Sequence, residues 1–413
     1  MTNRALLMAS LAAGPTKLHH ILFSDDTQHM VAALRQLGVQ IDEDRSLGTC
    51  QVWGAGGFAS TTTKSPIFVG NAGTVMRPLT AVLAFSRGAF ELSGDPRMEE
   101  RPIGDLVTAL QEMGADIRYL KRTGYPPLAI TGVTSPRLAN TVTIKSGLSS
   151  QFVSALLIAA PLLAGGLSIQ LEEQVVSREY IDMTLKMMRV FGVQATWLDA
   201  KTLWVPAQKY QAVTDFVIEP DASTASYFLA FGALAGQVSV PNLGQTSIQG
   251  EMNFVNALEA MGVPVSLDLD RVSSSKAKQL QGIDIDANSF PDTAMTLAVL
   301  AVFAKGPTLI RNIYNWRLKE TDRLTAMATE LRKVGARVIE HLDALEVHPP
   351  RQIQYAEIET YEDHRMAMSF ALLALAPVGV CLLDPGCVAK TCPDYFSKLK
   401  QLFDHERVQT TGV

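Results

Sequence analysis

One pattern recurs along the length of this chain. The segments LRQLGV, LQEMGA, MRVFGV, LEAMGV and LRKVGA recur along it, each closing on a glycine followed by Val or Ala: Gly38, Gly114, Gly192, Gly262 and Gly335. These glycines are 70 to 78 residues apart. Each follows an amphipathic helical face and precedes an extended run such as VQID or ADIRYL, the place where a glycine ends a helix with positive φ. A fixed period of this size is the signature of a repeat architecture.

A second series lies between the first. GNAGTVMRPLTAVLAF, SGLSSQFVSALLIAA, PDASTASYFLAFGAL, PDTAMTLAVLAVFA and YEDHRMAMSFALLAL open on small polar or charged residues and continue almost wholly apolar. A helix apolar on all sides must be buried, and the polar openings suit N-caps. Strand-like runs precede these segments (PIFVG, TVTIKS, DFVIEP, IDIDA, QYAEIE). The unit reads as strand, buried helix, strand, amphipathic helix, strand. Six copies account for all 413 residues, three in each half. The expected domains are 1–218 and 219–413, each of three units, with the boundary near Asp215–Asp221.

The opening TNRALLMASLAAG mimics a signal peptide, but in this scheme it is the buried helix of the first copy. The strand that precedes this helix in the other five copies is absent, so the chain is read as starting inside a repeat.

Composition limits the functions on offer. Apolar residues make up 47% and charged residues 19%, with a net charge of -5. That balance excludes a disordered chain and argues against a nucleic-acid coat. The longest apolar run, from Val153, is cut by Pro161 and Gly165–Gly166, which excludes a membrane span. Cys50, Cys381, Cys387 and Cys392 have no zinc spacing and read as reduced thiols of a cytoplasmic protein. GAGGFAS near Gly54 lacks the helix of a dinucleotide fingerprint and reads as a turn. His19 and His20 read as a loop pair without metal spacing.

The chemistry gathers at the starts of the buried helices, where free N–H groups and the helix dipole favour anions. These starts carry Asn3 and Arg4; Asn71, Gly73, Thr74 and Arg77; Ser149, Ser150 and Gln151; Asp221 and Ser223; Asp292; and Asp363, His364 and Arg365. Arg101, Lys319, Arg323 and Lys390 can join them. RNIYNWRLKETDR, from Arg311, packs Asn315, Arg317, Lys319, Glu320, Asp322 and Arg323 ahead of an amphipathic helix. It reads equally as a solvated helix start or as a Lys–Glu acid/base pair beside a substrate-binding Arg.

Taken together, GNAGTVMRPLTA, GDPRMEERPIG, SSQFVSALL, PDASTASYFLA, RNIYNWRLKETDRL, YEDHRMAMSF and AKTCPDYF closely resemble the 5-enolpyruvylshikimate-3-phosphate synthase family, over essentially the whole chain. The resemblance implies an α/β fold of two domains, each of three βαβαββ units with buried helices. It implies transfer of the enolpyruvyl group of phosphoenolpyruvate to the 5-hydroxyl of shikimate 3-phosphate, with release of phosphate, on the route to chorismate and the aromatic amino acids. No metal or organic cofactor is implied, and a cytoplasmic monomer without nucleic-acid or membrane partners is expected. Shikimate 3-phosphate would be held by Arg4, Ser149, Ser150, Gln151, Ser177, Tyr180, Asp292, Asn315 and Lys319. Phosphoenolpyruvate would be surrounded by Gly73, Arg101, Gln151, Arg323, Arg365 and Lys390. Asp292 and Glu320 would transfer protons, and the inhibitor glyphosate would share the phosphoenolpyruvate pocket beside Gly73.

Members of this family open with a strand and P-G-S-K-S, whose Lys and following Ser touch the substrates. Both would lie ahead of Met1. Two rival readings remain at this level. One is the sister transferase acting on UDP-N-acetylglucosamine, which carries a loop cysteine that DPRMEERP lacks. The other is a protein that only binds these ligands.

Overall fold

The computed structural model describes residues 1–58, 61–62, 65–132, 139–145, 149–172 and 177–410. It divides into two compact units, Met1–Ile218 and Glu219–Val413.

The first unit holds α1 (Thr2–Leu11), α2 (Asp25–Gln36), α3 (Gly73–Ala84), α4 (Gly104–Glu112), α5 (Ser150–Ala159) and α6 (Arg178–Val190). The two helix types expected from the pattern are both there. In α1, α3 and α5 nearly every residue is buried, and α3 packs against both α1 and α5. In α2, α4 and α6 only one face is buried. Helix α2 begins with a capping box between Ser24 and Thr27 and carries Asp25 and Asp26 in its first turn, an arrangement that suits the positive end of the dipole.

The second unit repeats the scheme with α7 (Ala222–Leu234), α8 (Phe254–Ala260), α9 (Ala294–Leu300), α10 (Arg323–Lys333) and α11 (His364–Phe370), followed by α12 (Tyr395–Thr410). Here α9 is buried at every residue and packs against α7 and α11. Trp316, fully buried, belongs to the same core.

Around these helices lie small mixed sheets with one recurrent pairing. The strand before a buried helix runs parallel to the strand after it, and the latter pairs antiparallel with the last strand of the copy. Thr141–Ile144, Leu167–Leu171 and Thr202–Val205 show this, with Val142 opposite Ile169 and Ile169 opposite Leu203. Asp284–Asp286, Thr308–Arg311 and Leu345–His348 show it again. All five repeat glycines have positive φ, from +84° at Gly192 to +103° at Gly114, a backbone that residues with a Cβ seldom adopt.

Three details differ from the sequence reading. The strand ahead of α7, Asp215–Val217, pairs in parallel with Ala13–His19, with Lys17 opposite Asp215. It thus completes the sheet of the first copy within the first unit, while the sheet of the fourth copy has three strands. His19 lies in a strand, with Nε2 2.6 Å from Oδ1 of Asp215. Gly54 also lies in a strand, Thr49–Ala55, where a Cβ would run into the carbonyls of Ala9 and Ala12; the turn follows it. The end of that segment, at 59–60, falls outside the described residues.

Candidate active site

In the second unit the charged residues converge on Arg323, the first residue of α10. Its guanidinium is 1% exposed and donates to three carboxylates. Nη1 reaches Oδ1 of Asp292 at 3.0 Å, Nη2 reaches Oε2 of Glu320 at 2.8 Å, and Nε reaches Oδ2 of Asp363 at 2.7 Å. Further cations close on two of these. Lys319 Nζ is 3.4 Å from Oδ1 of Asp292, and Arg365 Nη2 is 3.1 Å from its Oδ2. Lys390 Nζ is 3.9 Å from Oε1 of Glu320. Charge-assisted contacts of this kind are what permit several ions to share a buried place.

Local structure explains the convergence. Asp292 precedes α9, Asp363 is the N-cap of α11, and Lys319 and Glu320 follow the 3-10 turn Tyr314–Leu318. Asp363 also accepts the backbone N–H of Arg365 at 2.9 Å, so one carboxylate holds the Arg323 guanidinium and caps the helix that carries Arg365. Arg365 Nη1 donates to the buried hydroxyl of Tyr227 at 3.4 Å. Asn315 is buried, and its carboxamide oxygen accepts no hydrogen bond among the described residues.

The electrostatics follow from this crowding. Burial alone would push the Asp292 carboxyl up; Arg365, Lys319 and Arg323 outweigh it and hold the group well below the usual carboxylate range, with Glu320 opposing. Burial also pushes the His364 imidazole well below its ordinary value, and Arg365, Lys390 and Arg323 add to this while Glu320 opposes. His364 is therefore neutral near pH 7. Its two ring nitrogens make no hydrogen bond among the described residues, although Nδ1 is 3.6 Å from Oδ1 of Asp363.

The first unit presents a separate set. Gly73 is the first residue of α3, and a Cβ there would meet the Arg77 guanidinium and stand 2.9 Å from Nη2 of Arg101. Both arginines are buried. Arg77 donates to the carbonyl of Pro102 at 3.3 Å, and Arg101 Nη1 donates to the backbone oxygen and Oδ1 of Asn71, each at 2.9 Å. Two cations lie here beside a helix start whose first residue has no side chain. Ser149 caps α5 by accepting the N–H of Gln151 at 3.2 Å, and Ser150 is buried beside it. Arg4 on α1 donates from Nε to Thr184 Oγ1 at 3.1 Å; Thr184 in turn bonds the Tyr180 carbonyl on α6 and Ser154 on α5. Burial pushes the Arg4 guanidinium down to about 10, with Tyr180 opposing, so it stays cationic at neutral pH. Ser177, buried, starts α6 with φ +55°.

Thus Asp292, Asn315, Lys319, Glu320, Arg323, Arg365 and Lys390 are gathered in one unit, and Arg4, Gly73, Arg101, Ser149, Ser150, Gln151, Ser177 and Tyr180 belong to the other. The dense stretch from Arg311 resolves differently from a simple Lys–Glu pair. Lys319 faces Asp292, whereas Glu320 faces Arg323 and Lys390. Arg317 and Asp322 are structural: Asp322 caps α10 through the N–H of Thr325 at 3.1 Å and bonds Arg317 at 2.9 Å. The sequence alone places Asp363 only at a helix start. The signal was available, because Asp221, Asp292 and Asp363 recur at intervals of 71 residues.

Comparison with known proteins gives the family. The family described as EPSP synthase (3-phosphoshikimate 1-carboxyvinyltransferase) matches residues 1–399. The chain is 51% identical over 404 residues to the 3-phosphoshikimate 1-carboxyvinyltransferase of Vibrio atlanticus, covering 97% of this chain and 94% of that one. It is 50% identical over 399 residues to the enzyme of that name from Tolumonas auensis, covering 96% and 93%. Among solved structures, EPSP synthase from Acinetobacter baumannii shares the fold with a TM-score of 0.81 at 24% identity, covering 97% of this chain and 92% of that one. The chain belongs to the EPSP synthase, or 3-phosphoshikimate 1-carboxyvinyltransferase, family.

Proposed function

We propose that this chain transfers the enolpyruvyl group of phosphoenolpyruvate to the 5-hydroxyl of shikimate 3-phosphate and releases phosphate. The observation that carries the mechanism is the pair Asp292 and Glu320, two carboxylates bonded to one buried Arg323 and flanked by Lys319, Arg365 and Lys390. Both substrates are anions, and a cation-rich site offsets their mutual repulsion.

The steps follow from the residue types. Asp292 takes the proton of the 5-hydroxyl as its oxygen attacks C2 of phosphoenolpyruvate. Glu320 gives a proton to the methylene carbon, which becomes a methyl group. In the reverse sense Glu320 then removes a methyl proton, the double bond re-forms, the C2–O bond to phosphate breaks, and the proton held by Asp292 leaves with the phosphate. Arg323, Arg365 and Lys390 stabilise charge on the leaving phosphate. In the free protein the three cations hold Asp292 well below the usual carboxylate range. Pairing of those cations with bound phosphate and carboxylate groups weakens their pull and raises its basicity. By the resemblance, shikimate 3-phosphate is assigned to Arg4, Ser149, Ser150, Gln151, Ser177, Tyr180, Asp292, Asn315 and Lys319, and phosphoenolpyruvate to Gly73, Arg101, Gln151, Arg323, Arg365 and Lys390.

Among the described residues no helix is long and apolar enough to cross a membrane. The test is phosphate release by the purified chain given both substrates. One enolpyruvyl product per phosphate is expected. No release, or release with UDP-N-acetylglucosamine as acceptor in place of shikimate 3-phosphate, would refute the assignment.

A further inference from the structure

The three buried helices of the second unit are preceded by Asp221, Asp292 and Asp363. Two of these cap their own helix. Oδ2 of Asp221 accepts the N–H of Thr224 at 2.8 Å, and Oδ1 of Asp363 accepts the N–H of Arg365 at 2.9 Å. At α9 the arrangement changes. The N-cap residue is Thr293, whose side chain makes no capping bond. Its N–H and its hydroxyl instead reach the same oxygen, Oε2 of Glu251, at 3.1 Å and 2.8 Å. Glu251 is 4% exposed and Thr293 is fully buried. Meanwhile the oxygens of Asp292 face Lys319, Arg323 and Arg365.

We propose that Glu251 is a positioning residue for the transfer reaction: it holds the turn that carries Asp292, through Thr293, so that the Asp292 carboxylate is delivered to the cations. The proposal rests on the reading of Asp292 as proton acceptor. A capping aspartate is held by its own helix N–H groups. An aspartate that must accept a substrate proton needs its position fixed by something else. Glu251 supplies this on one side. On the other, the buried Trp316 indole N–H donates to the carbonyl of Pro291 at 2.7 Å. Both neighbours of Asp292 are therefore gripped by buried side chains from elsewhere in the unit.

Glu251 is itself well anchored. It lies in the 3-10 turn Gly250–Asn253, directly after Gln249. The Gln249 carboxamide accepts the N–H of Ala222 at 3.0 Å and donates to the Pro220 carbonyl at 2.8 Å. One short stretch thus braces the start of α7 and the start of α9 together. Misplacement of a reacting group by about 1 Å costs on the order of 10²-fold in rate, so this grip has a kinetic consequence distinct from stability.

The experiment compares Glu251→Ala with Glu251→Gln, and Thr293→Val with Thr293→Ser, in the full chain. It reads kcat, both KM values, circular dichroism and thermal midpoint. Glu251→Ala should lower kcat by about 10- to 100-fold, by loss of positioning. Glu251→Gln should stay within about threefold, since a carboxamide oxygen still accepts both hydrogen bonds. Thr293→Val should lower kcat and Thr293→Ser should restore most of it. A purely structural role would lower thermal midpoints and leave kcat per folded molecule unchanged. Folded Glu251→Ala with normal kcat, or Glu251→Gln no better than Glu251→Ala, would overturn the proposal. If Glu251→Ala does not fold, the threonine pair decides: normal kcat in folded Thr293→Val overturns it. The unmutated chain is assayed alongside; its failure to release phosphate would refute the reaction itself, and with it the role of Asp292.

Discussion

Arg323 and Asp363 form a two-point contact, Nε to Oδ2 at 2.7 Å and Nη2 to Oδ1 at 3.2 Å, with side-chain exposures of 1% and 0%. This contact ties the start of α10 to the start of α11. Removing one partner of a buried pair leaves the other charge uncompensated, at a cost of about 3–5 kcal/mol. Asp363→Ala should therefore destabilise strongly in urea titration. Asp363→Asn, which retains a good N-cap, should lose less stability but a larger share of turnover, because Arg323 is no longer held at two points. Equal stability for Asp363→Ala and the unmutated protein would contradict this.

His364 sets a pH dependence of stability. Its folded value lies well below the ordinary 6.5, chiefly through burial and then Arg365. Below pH 6.5 the unfolded chain binds a proton that the folded one refuses, so stability falls as pH drops through that value. The slope reaches at most about 1.4 kcal/mol per pH unit. Asp292, whose value is depressed, stabilises above its unfolded value, and that contribution is lost only below about pH 4. Denaturant titration at pH 7.5, 6.5 and 5.5 should show a steeper fall for the unmutated protein than for His364→Asn. Parallel curves would remove His364 from the account.

Glu330 is fully buried on α10. Its Oε1 accepts the Tyr361 hydroxyl at 2.8 Å, and its Oε2 accepts the N–H of Glu359 at 3.1 Å. Tyr361 and Glu362, just ahead of Asp363, both have φ of +54°, a region costly for residues with a Cβ. Glu330 is thus a clamp on the backbone that aims Asp363 and Arg365. Glu330→Ala should cost about 2–4 kcal/mol, and Tyr361→Phe about 1 kcal/mol. A double-mutant cycle should show coupling between them; independent effects would argue against a clamp.

Gly73 leaves room beside two buried guanidinium groups. The Cβ of Gly73→Ala would displace Arg77 and crowd Arg101. On the proposed assignment, phosphoenolpyruvate, and glyphosate competing with it, would occupy this position. The unmutated enzyme should be inhibited by glyphosate competitively with phosphoenolpyruvate, and Gly73→Ala should raise the inhibition constant by at least about tenfold, the scale of a one-carbon steric change. Inhibition that is equal in both would show that the space at Gly73 is not used.

Much of this was legible in the sequence because the fold repeats. Five glycines and five apolar helices define the unit, and the polar openings of GNAGTVMRP and YEDHRMAM mark the helix starts where charged residues gather. What the sequence did not disclose was pairing between distant segments. Nothing local links Arg323 to Asp363, 40 residues on, or Glu251 to Thr293, 42 residues on. Nor did the pattern show that Asp215–Val217 pairs beside Ala13–His19, since one strand fits either sheet by its alternation. In RNIYNWRLKETDR, spacing alone could not separate Asp322, a cap, from Glu320, whose carboxylate faces Arg323 and Lys390.

Asp292 and Glu320 are proposed to move the protons of the transfer, and deuterium incorporation is the decisive measurement. With both substrates in D2O, the unmutated chain should place deuterium in the methylene group of recovered phosphoenolpyruvate and of product, as methyl formation and its reversal require. Glu320→Gln should lower this by at least about 10²-fold, the usual scale for an acid/base group, with shikimate 3-phosphate binding little changed. Asp292→Asn should lower turnover by a similar factor. Deuterium incorporation by Glu320→Gln at the rate of the unmutated chain would contradict the account.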